Sequence, residues 1–233
     1  MGTNKLFDKS LEYDQMLNKG LALSGEDKFY FIHGRFKDLK NNIPNDASTG
    51  SASIKKILDF GCGIGDSTKI LLEYFKEAEI LGIDTSANAI AFANENNSSG
   101  GKIKYFCIDE FKPDESFDLC FVNGVFHHIK PNDRSAAVKL IYNALKGGGL
   151  FSFFENNPNN PGTKLVMRKI DFDKEAITLT PNESRQLLSE NGFTLISTRF
   201  LFYFPRYLSA LRFLEKLFTK IPLGAQYYVL GRK

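Results

Sequence analysis

The sequence predicts an α/β fold on a parallel sheet. Three features predict it: strand and helix patterns alternate along most of the chain, the strand-like runs are short and almost wholly apolar, and a glycine-rich turn joins the first of them to a helix. In chain order the pattern opens with a polar-aromatic section from about Leu6 to Lys40, which reads as helical. "NNIPNDASTGSAS", Asn41 to Ser53, follows as a linker, because its Asn, Pro, Asp, Ser and Gly residues favour turns and bury little apolar surface. Residues 1–53 are therefore read as an N-terminal helical cap with a mobile linker, and 54–233 as the body. The body runs "KKILDF" strand, "DSTKILLEYFK" helix, "EILGID" strand, "SANAIAFANENN" helix, "KIKYFCID" strand and "FDLCFVNGV" strand. Ile70, Leu71, Tyr74 and Phe75 recur at helical spacing, whereas the strands are apolar throughout, as strands covered on both faces should be. Thr180, Pro181 and Gly192 mark a later helix as N-cap, first residue and stop.

Composition narrows the function. With 233 residues, 42% hydrophobic and 24% charged, the chain buries a substantial core as one domain with modest additions. A net charge of +3 without a concentrated basic patch outside the C-terminal stretch gives no sign of nucleic-acid binding. Cys62, Cys107 and Cys120 form no CxxC pair, so neither a disulfide framework nor a thiolate metal site is expected. The start lacks the apolar core of a secretory signal and no later run is long enough to span a membrane, which fits a cytoplasmic protein.

"LDFGCGIGD", Leu58 to Asp66, carries the chemistry. Gly61, Gly63 and Gly65 stand between strand and helix, where bare backbone can approach a ligand and a helix N-terminus faces it. Dinucleotide-binding loops occupy the same place but prefer GxGxxG; here the spacing is GxGxG, and Asp59 just ahead of it suits a cationic amino group better than a phosphate. Asp84 ends the second strand about 20 residues on, where an acid meets ribose hydroxyls in nucleotide-binding α/β folds.

At these residues the chain resembles the class I S-adenosylmethionine-dependent methyltransferases, whose first motif is a hydrophobic strand followed by D/E-x-G-x-G-x-G. The resemblance runs from about Lys55 to Glu155, through "GIDTSANAIAFA", "CIDEF", "FDLCFVNGVFHHI" and "LKGGGLFSFFE". It implies a Rossmann-like seven-stranded sheet of order 3-2-1-4-5-7-6, with an N-terminal helical cap and a C-terminal helical insertion before the last strand. "FTLISTRFLFYF" and "AQYYVLGRK" would be the final antiparallel pair. It also implies S-adenosyl-L-methionine as cofactor, with Gly61 and Gly63 against it, Asp84 on the ribose, Asp109 at the adenine amino group and Asn123 near the methionine end. Asp59, Cys62, Gly65, Thr85 and Glu110 complete the candidate set, with Tyr13 as a cap aromatic and Arg35 as a carboxylate partner.

His127 and His128 follow the fourth strand, whose end faces the ligand crevice, and are the candidate catalytic residues: an imidazole can take a proton from an alcohol or amine as the methyl moves. The competing reading has one orienting the loop and the other capping the next helix. No metal site is expected, because adjacent histidines diverge on an extended chain and no third ligand stands at convincing spacing. Asn156, Asn157, Asn159 and Asn160, beyond the fifth strand, are placed to hydrogen-bond a substrate or simply to connect. In "RFLFYFPRYLSALRFLEKLFTKIPLGAQYY", Tyr207, Leu211, Leu214, Phe218 and Ile221 recur at helical spacing. Packing on the sheet is the favoured reading, and a basic amphipathic helix lying on an anionic membrane is the other. The function so read is methyl transfer by SN2 displacement to an oxygen, or secondarily a nitrogen, of a small or lipid-linked acceptor. A non-catalytic S-adenosylmethionine-binding subunit and a nucleotide-dependent oxidoreductase are the alternatives.

Overall fold

The computed structural model describes residues 20–22, 24–44, 54–97, 99–170, 173 and 175–233. Tyr13 and most of the linker, residues 45–53, lie outside the described residues. A seven-stranded sheet organises the chain. Its strands are β1 (Lys56–Phe60), β2 (Glu79–Asp84), β3 (Ile103–Cys107), β4 (Phe117–Asn123), β5 (Leu145–Asn156), β6 (Thr194–Leu201) and β7 (Gln226–Arg232). They stand in the order β3-β2-β1-β4-β5-β7-β6, the order that the family resemblance implies. The first five pair in parallel, and β7 inserts antiparallel between β5 and β6. The helices are α1 (Lys28–Asn42), α2 (Asp66–Tyr74), α3 (Ala87–Asn96), α4 (Pro131–Ala144), α5 (Pro161–Lys169), α6 (Pro181–Glu190) and the short α7 (Glu215–Phe218).

Successive residues of the central strands feed opposite faces of the sheet. Ile57, Leu119, Phe121, Phe154 and Tyr228 join one core with α1 and α2. Leu58, Cys120, Val122, Phe151, Phe153 and Val229 join the other with α4 and α6. Burial on both sides is why these strands read as unbroken apolar runs. Helix α1 is anchored to the antiparallel edge by a fork: Arg199 donates to both carboxylate oxygens of Asp38, at 2.8 and 2.9 Å, and Tyr228 Oη donates to the same group at 2.9 Å. Helix α6 starts at Thr180 with a full capping box to Glu183.

The C-terminal insertion departs from the regular helix that its periodicity suggests. Arg206–Leu214 is 3-10 helix with a break at Leu208, and only α7 is α-helical. Of the five residues expected to pack, Tyr207 is 77% exposed, Ile221 42% and Leu211 38%, so the segment does not lie on the sheet along that stripe. Arg212 ties it to the N-terminal helix instead, donating to Glu26 at 2.8 Å and lying over the Tyr30 ring.

Candidate active site

At the carboxyl ends of the parallel strands, where open α/β sheets hold ligands, the described residues enclose a cavity of about 1190 Å³. The glycine loop forms one wall. Gly61 N–H and Cys62 N–H both donate to Ile83 O, and Gly63 N–H donates to Asp84 Oδ2 at 2.9 Å. The other Asp84 oxygen accepts Ser86 N–H at 2.9 Å. Asp84 thus clamps the loop to the end of β2 while it lines the cavity. Gly63 adopts φ +56, and a Cβ built there meets nothing within 4 Å, so its backbone lies bare to the cavity. A backbone left bare at Gly63 beside an acid at the next strand end fits a nucleoside carrying an amino-acid group.

Gly61, Cys62, Gly63, Asp84, Thr85, Asn123 and Arg35 all line this cavity, as do His127 and His128. Arg35 reaches it from α1, buried and donating to Gln226 at 2.9 Å. Other expected contacts stand elsewhere. Asp109 and Glu110 are exposed on the 3-10 turn after β3, and Ile108 takes the place on the wall. Gly65 is the left-handed start of α2 under Tyr105, where a Cβ would come within 2.6 Å of the phenol oxygen; it shapes the loop from behind. Cys62 is a buried thiol pushed well above its ordinary pKa by desolvation and then by Asp59 and Asp84.

Asp59 lies beneath the loop, 2% exposed, accepting a hydrogen bond from Thr68 Oγ1 at 2.7 Å, and forms no part of the cavity wall. Burial lifts its pKa from 3.8 to about 7 against the pull of the Thr68 hydrogen bond. The native state therefore keeps a proton that the unfolded chain has released, and stability falls as pH rises from 3.8 to about 7, then levels off. Asp59→Asn is expected to remove this slope and to stabilise the fold above pH 7 by up to about 4 kcal/mol, read by urea unfolding across pH. An unchanged pH profile would refute the buried-proton account.

The histidines sit on a single 3-10 turn, Phe126–His128, rather than on an extended chain. The turn brings their ring centroids to 4.1 Å, and Asp173 Oδ1 stands 3.6 Å from Nε2 of each. Glu155, at the end of β5 and 1% exposed, holds the turn from below: Oε1 accepts Phe126 N–H at 2.8 Å and Oε2 meets His127 Nδ1 at 2.6 Å. Burial alone would lower the His127 pKa, but the Glu155 and Asp173 carboxylates overcome it and raise it to about 10. Burial and the neighbouring His127 push His128 down to about 4. The acidic partners were not singled out from sequence. Glu155 had a signal, a lone acid closing the apolar run "LFSFFE", but Asp173 in "KIDFDKEA" had none. Of the asparagines, Asn156 lines the cavity and bonds Gln226, Asn157 is buried and donates to Gly224 O, and Asn160 caps α5.

Residues 58–153 match the family model described as "Methyltransferase domain". The chain is 30% identical over 148 residues to phosphoethanolamine N-methyltransferase 1 of Arabidopsis thaliana, covering 60% of this chain and 29% of that one. It is 30% identical over 118 residues to malonyl-[acyl-carrier protein] O-methyltransferase of Acetivibrio thermocellus, covering 50% and 41%. The match spans less than half the length of each of these relatives. The fold is shared with an S-adenosylmethionine-dependent methyltransferase from Mesorhizobium loti, at a TM-score of 0.59 and 20% identity over 84% of this chain and 96% of that one.

Proposed function

We propose that this chain, a class I S-adenosylmethionine-dependent methyltransferase by its domain over residues 58–153, transfers a methyl group to an oxygen of a small or lipid-linked acceptor held beside His127 and His128, with nitrogen as the alternative. One observation carries the reading: a bare glycine loop clamped by Asp84 opens into the same cavity as the histidine turn, and that cavity is larger than the roughly 300–1,000 Å³ that a single small ligand fills. S-adenosylmethionine, when bound, supplies a methyl group on a positively charged sulfur, already activated for displacement. The backbone at Gly61 and Gly63 would lie against it, Asp84 and Thr85 would meet the ribose, and Asn123 and Arg35 would face the amino-acid end. What the chain itself contributes is alignment, which is worth about 7–11 kcal/mol of barrier when reacting atoms are held in contact. The histidine turn would receive the acceptor's reacting atom and act on it.

The far wall of the cavity supports an apolar acceptor. Leu165, Met167, Ile170, Phe202 and Phe204 line it, and Tyr207 stands at its rim, largely exposed. In the same 206–223 segment Phe213, Leu217 and Leu223 are exposed, as are Arg206, Lys216 and Lys220, a composition suited to peripheral contact with an anionic membrane. Incubating the chain with cell extract and methyl-labelled S-adenosylmethionine tests the acceptor. A labelled lipid-phase product would support the lipid-linked form, an aqueous product the small-molecule form, and no labelled product from a cofactor-binding protein would contradict catalysis.

The ribose contact has its own test. Asp84→Ala is expected to weaken S-adenosylmethionine binding by about 1.5–3 kcal/mol, through lost hydrogen bonds to a charged acceptor and a loosened glycine loop. Calorimetry reads this, and wild-type affinity would remove Asp84 from the site.

A further inference from the structure

The sequence gives no reason to expect a metal, yet the fold assembles a set of donors for one. His127 and His128 project from a single 3-10 turn, and Asp173 comes from a segment 46 residues on that is stitched to that turn. Ile177 N–H donates to His127 O at 2.8 Å. Arg134 bonds Phe126 O, Ile129 O and Ile177 O together, clasping both segments from behind. As a result one ligand-capable atom from each of His127, His128 and Asp173 lies within 4.8 Å of the other two. In both His–Asp pairs the separation is 3.6 Å. Donors placed tetrahedrally about a cation at 2.0–2.1 Å are about 3.3 Å apart, so the two His–Asp pairs need to close by only a few tenths of an ångström, and the His–His pair lies within 4.8 Å.

We infer that His127, His128 and Asp173 bind one divalent transition-metal cation, with Zn²⁺ the best match, and that its open coordination position faces the cavity. Two imidazole nitrogens and one carboxylate oxygen suit Zn²⁺ or a neighbouring first-row ion; Mg²⁺ and Ca²⁺ prefer all-oxygen shells. Glu155 supplies the support such a site requires. With Nδ1–H held by Glu155 across 2.6 Å, His127 presents Nε2 toward Asp173, and a bound cation takes the place of the Nε2 proton there, in the carboxylate–histidine arrangement that orients imidazole ligands. All three ligand residues line the cavity, so an acceptor oxygen can reach the remaining position. The cation's role in activating that oxygen rests on the proposed methyl transfer; its binding does not.

The test uses the full chain after treatment with a chelator, titrated with Co²⁺ alone and followed by its visible d–d absorption, with S-adenosylmethionine affinity measured calorimetrically on the same samples. One equivalent of Co²⁺ should bind with the intense bands of a low-coordinate N/O site, and Zn²⁺ should displace it. His128→Gln and Asp173→Asn should each abolish the bands, and Glu155→Gln should weaken Co²⁺ binding about 10–100-fold as a positioning residue. His127 is left intact, because losing it would leave Glu155 buried without its partner and could unfold the site. Absence of stoichiometric Co²⁺ binding, or Co²⁺ spectra unchanged in Asp173→Asn, would overturn the metal site. Because cofactor affinity is read separately, that result would leave the methyltransferase reading standing, whereas loss of cofactor binding with Co²⁺ binding intact would do the reverse.

Discussion

Changing His128 to Gln is expected to lower methyl transfer about 10²–10⁴-fold while leaving S-adenosylmethionine affinity near the wild-type value, the range that a positioned group acting on a reacting proton supplies. The loss should fall on the chemical step in single-turnover measurements with labelled methyl on the acceptor found by profiling. His128 is the clean position, since its imidazole faces the cavity from a turn whose backbone is fixed by Glu155 and Arg134. His127→Gln is not comparable. It removes the charge partner of Glu155, which is 1% exposed, and breaking a buried pair costs about 3–5 kcal/mol of stability. Full turnover by His128→Gln on an oxygen acceptor would remove the histidine turn from catalysis.

Gly63→Val is expected to abolish measurable S-adenosylmethionine binding. The two glycines against the cavity differ in what a substitution does. A Cβ at Gly61 would collide with Val125, so a change there disturbs the protein itself, whereas a Cβ at Gly63 meets no protein atom within 4 Å and projects into open space. The cost to the fold is the left-handed backbone, φ +56, for a β-branched residue, about 1–3 kcal/mol, which thermal unfolding would register separately. A folded Gly63→Val protein that binds the cofactor normally would show that the loop is not its cradle.

Much of this site was legible from local pattern. The glycine loop and Asp84 declare themselves because each lies directly after an apolar strand, and strand ends in a parallel sheet point to the crevice. The same rule would bring Asp59 and Asp109 to the cavity wall as well, and neither lines it, for opposite reasons. Asp59 is the penultimate residue of β1, so its side chain turns beneath the loop to Thr68. Asp109 lies past the end of β3, on a 3-10 turn that leaves it exposed. What could not be read is contact between distant segments. Nothing in "KIDFDKEA" distinguishes Asp173, and its approach to the histidines depends on Ile177 and Arg134 joining two loops. The expectation that adjacent histidines diverge assumed an extended chain, and a 3-10 turn reverses it. Periodicity failed at Tyr207 to Ile221 because spacing records a stripe without recording whether anything covers it.

If the cavity beside the glycine loop is built for S-adenosylmethionine, the protein must distinguish that cofactor from a dinucleotide. Calorimetric titration of the full chain with S-adenosylmethionine, and separately with NAD, tests it most directly. One equivalent of S-adenosylmethionine should bind, with no heat from NAD; saturable NAD binding without S-adenosylmethionine binding would contradict it and return the GxGxG loop to the dinucleotide-binding class.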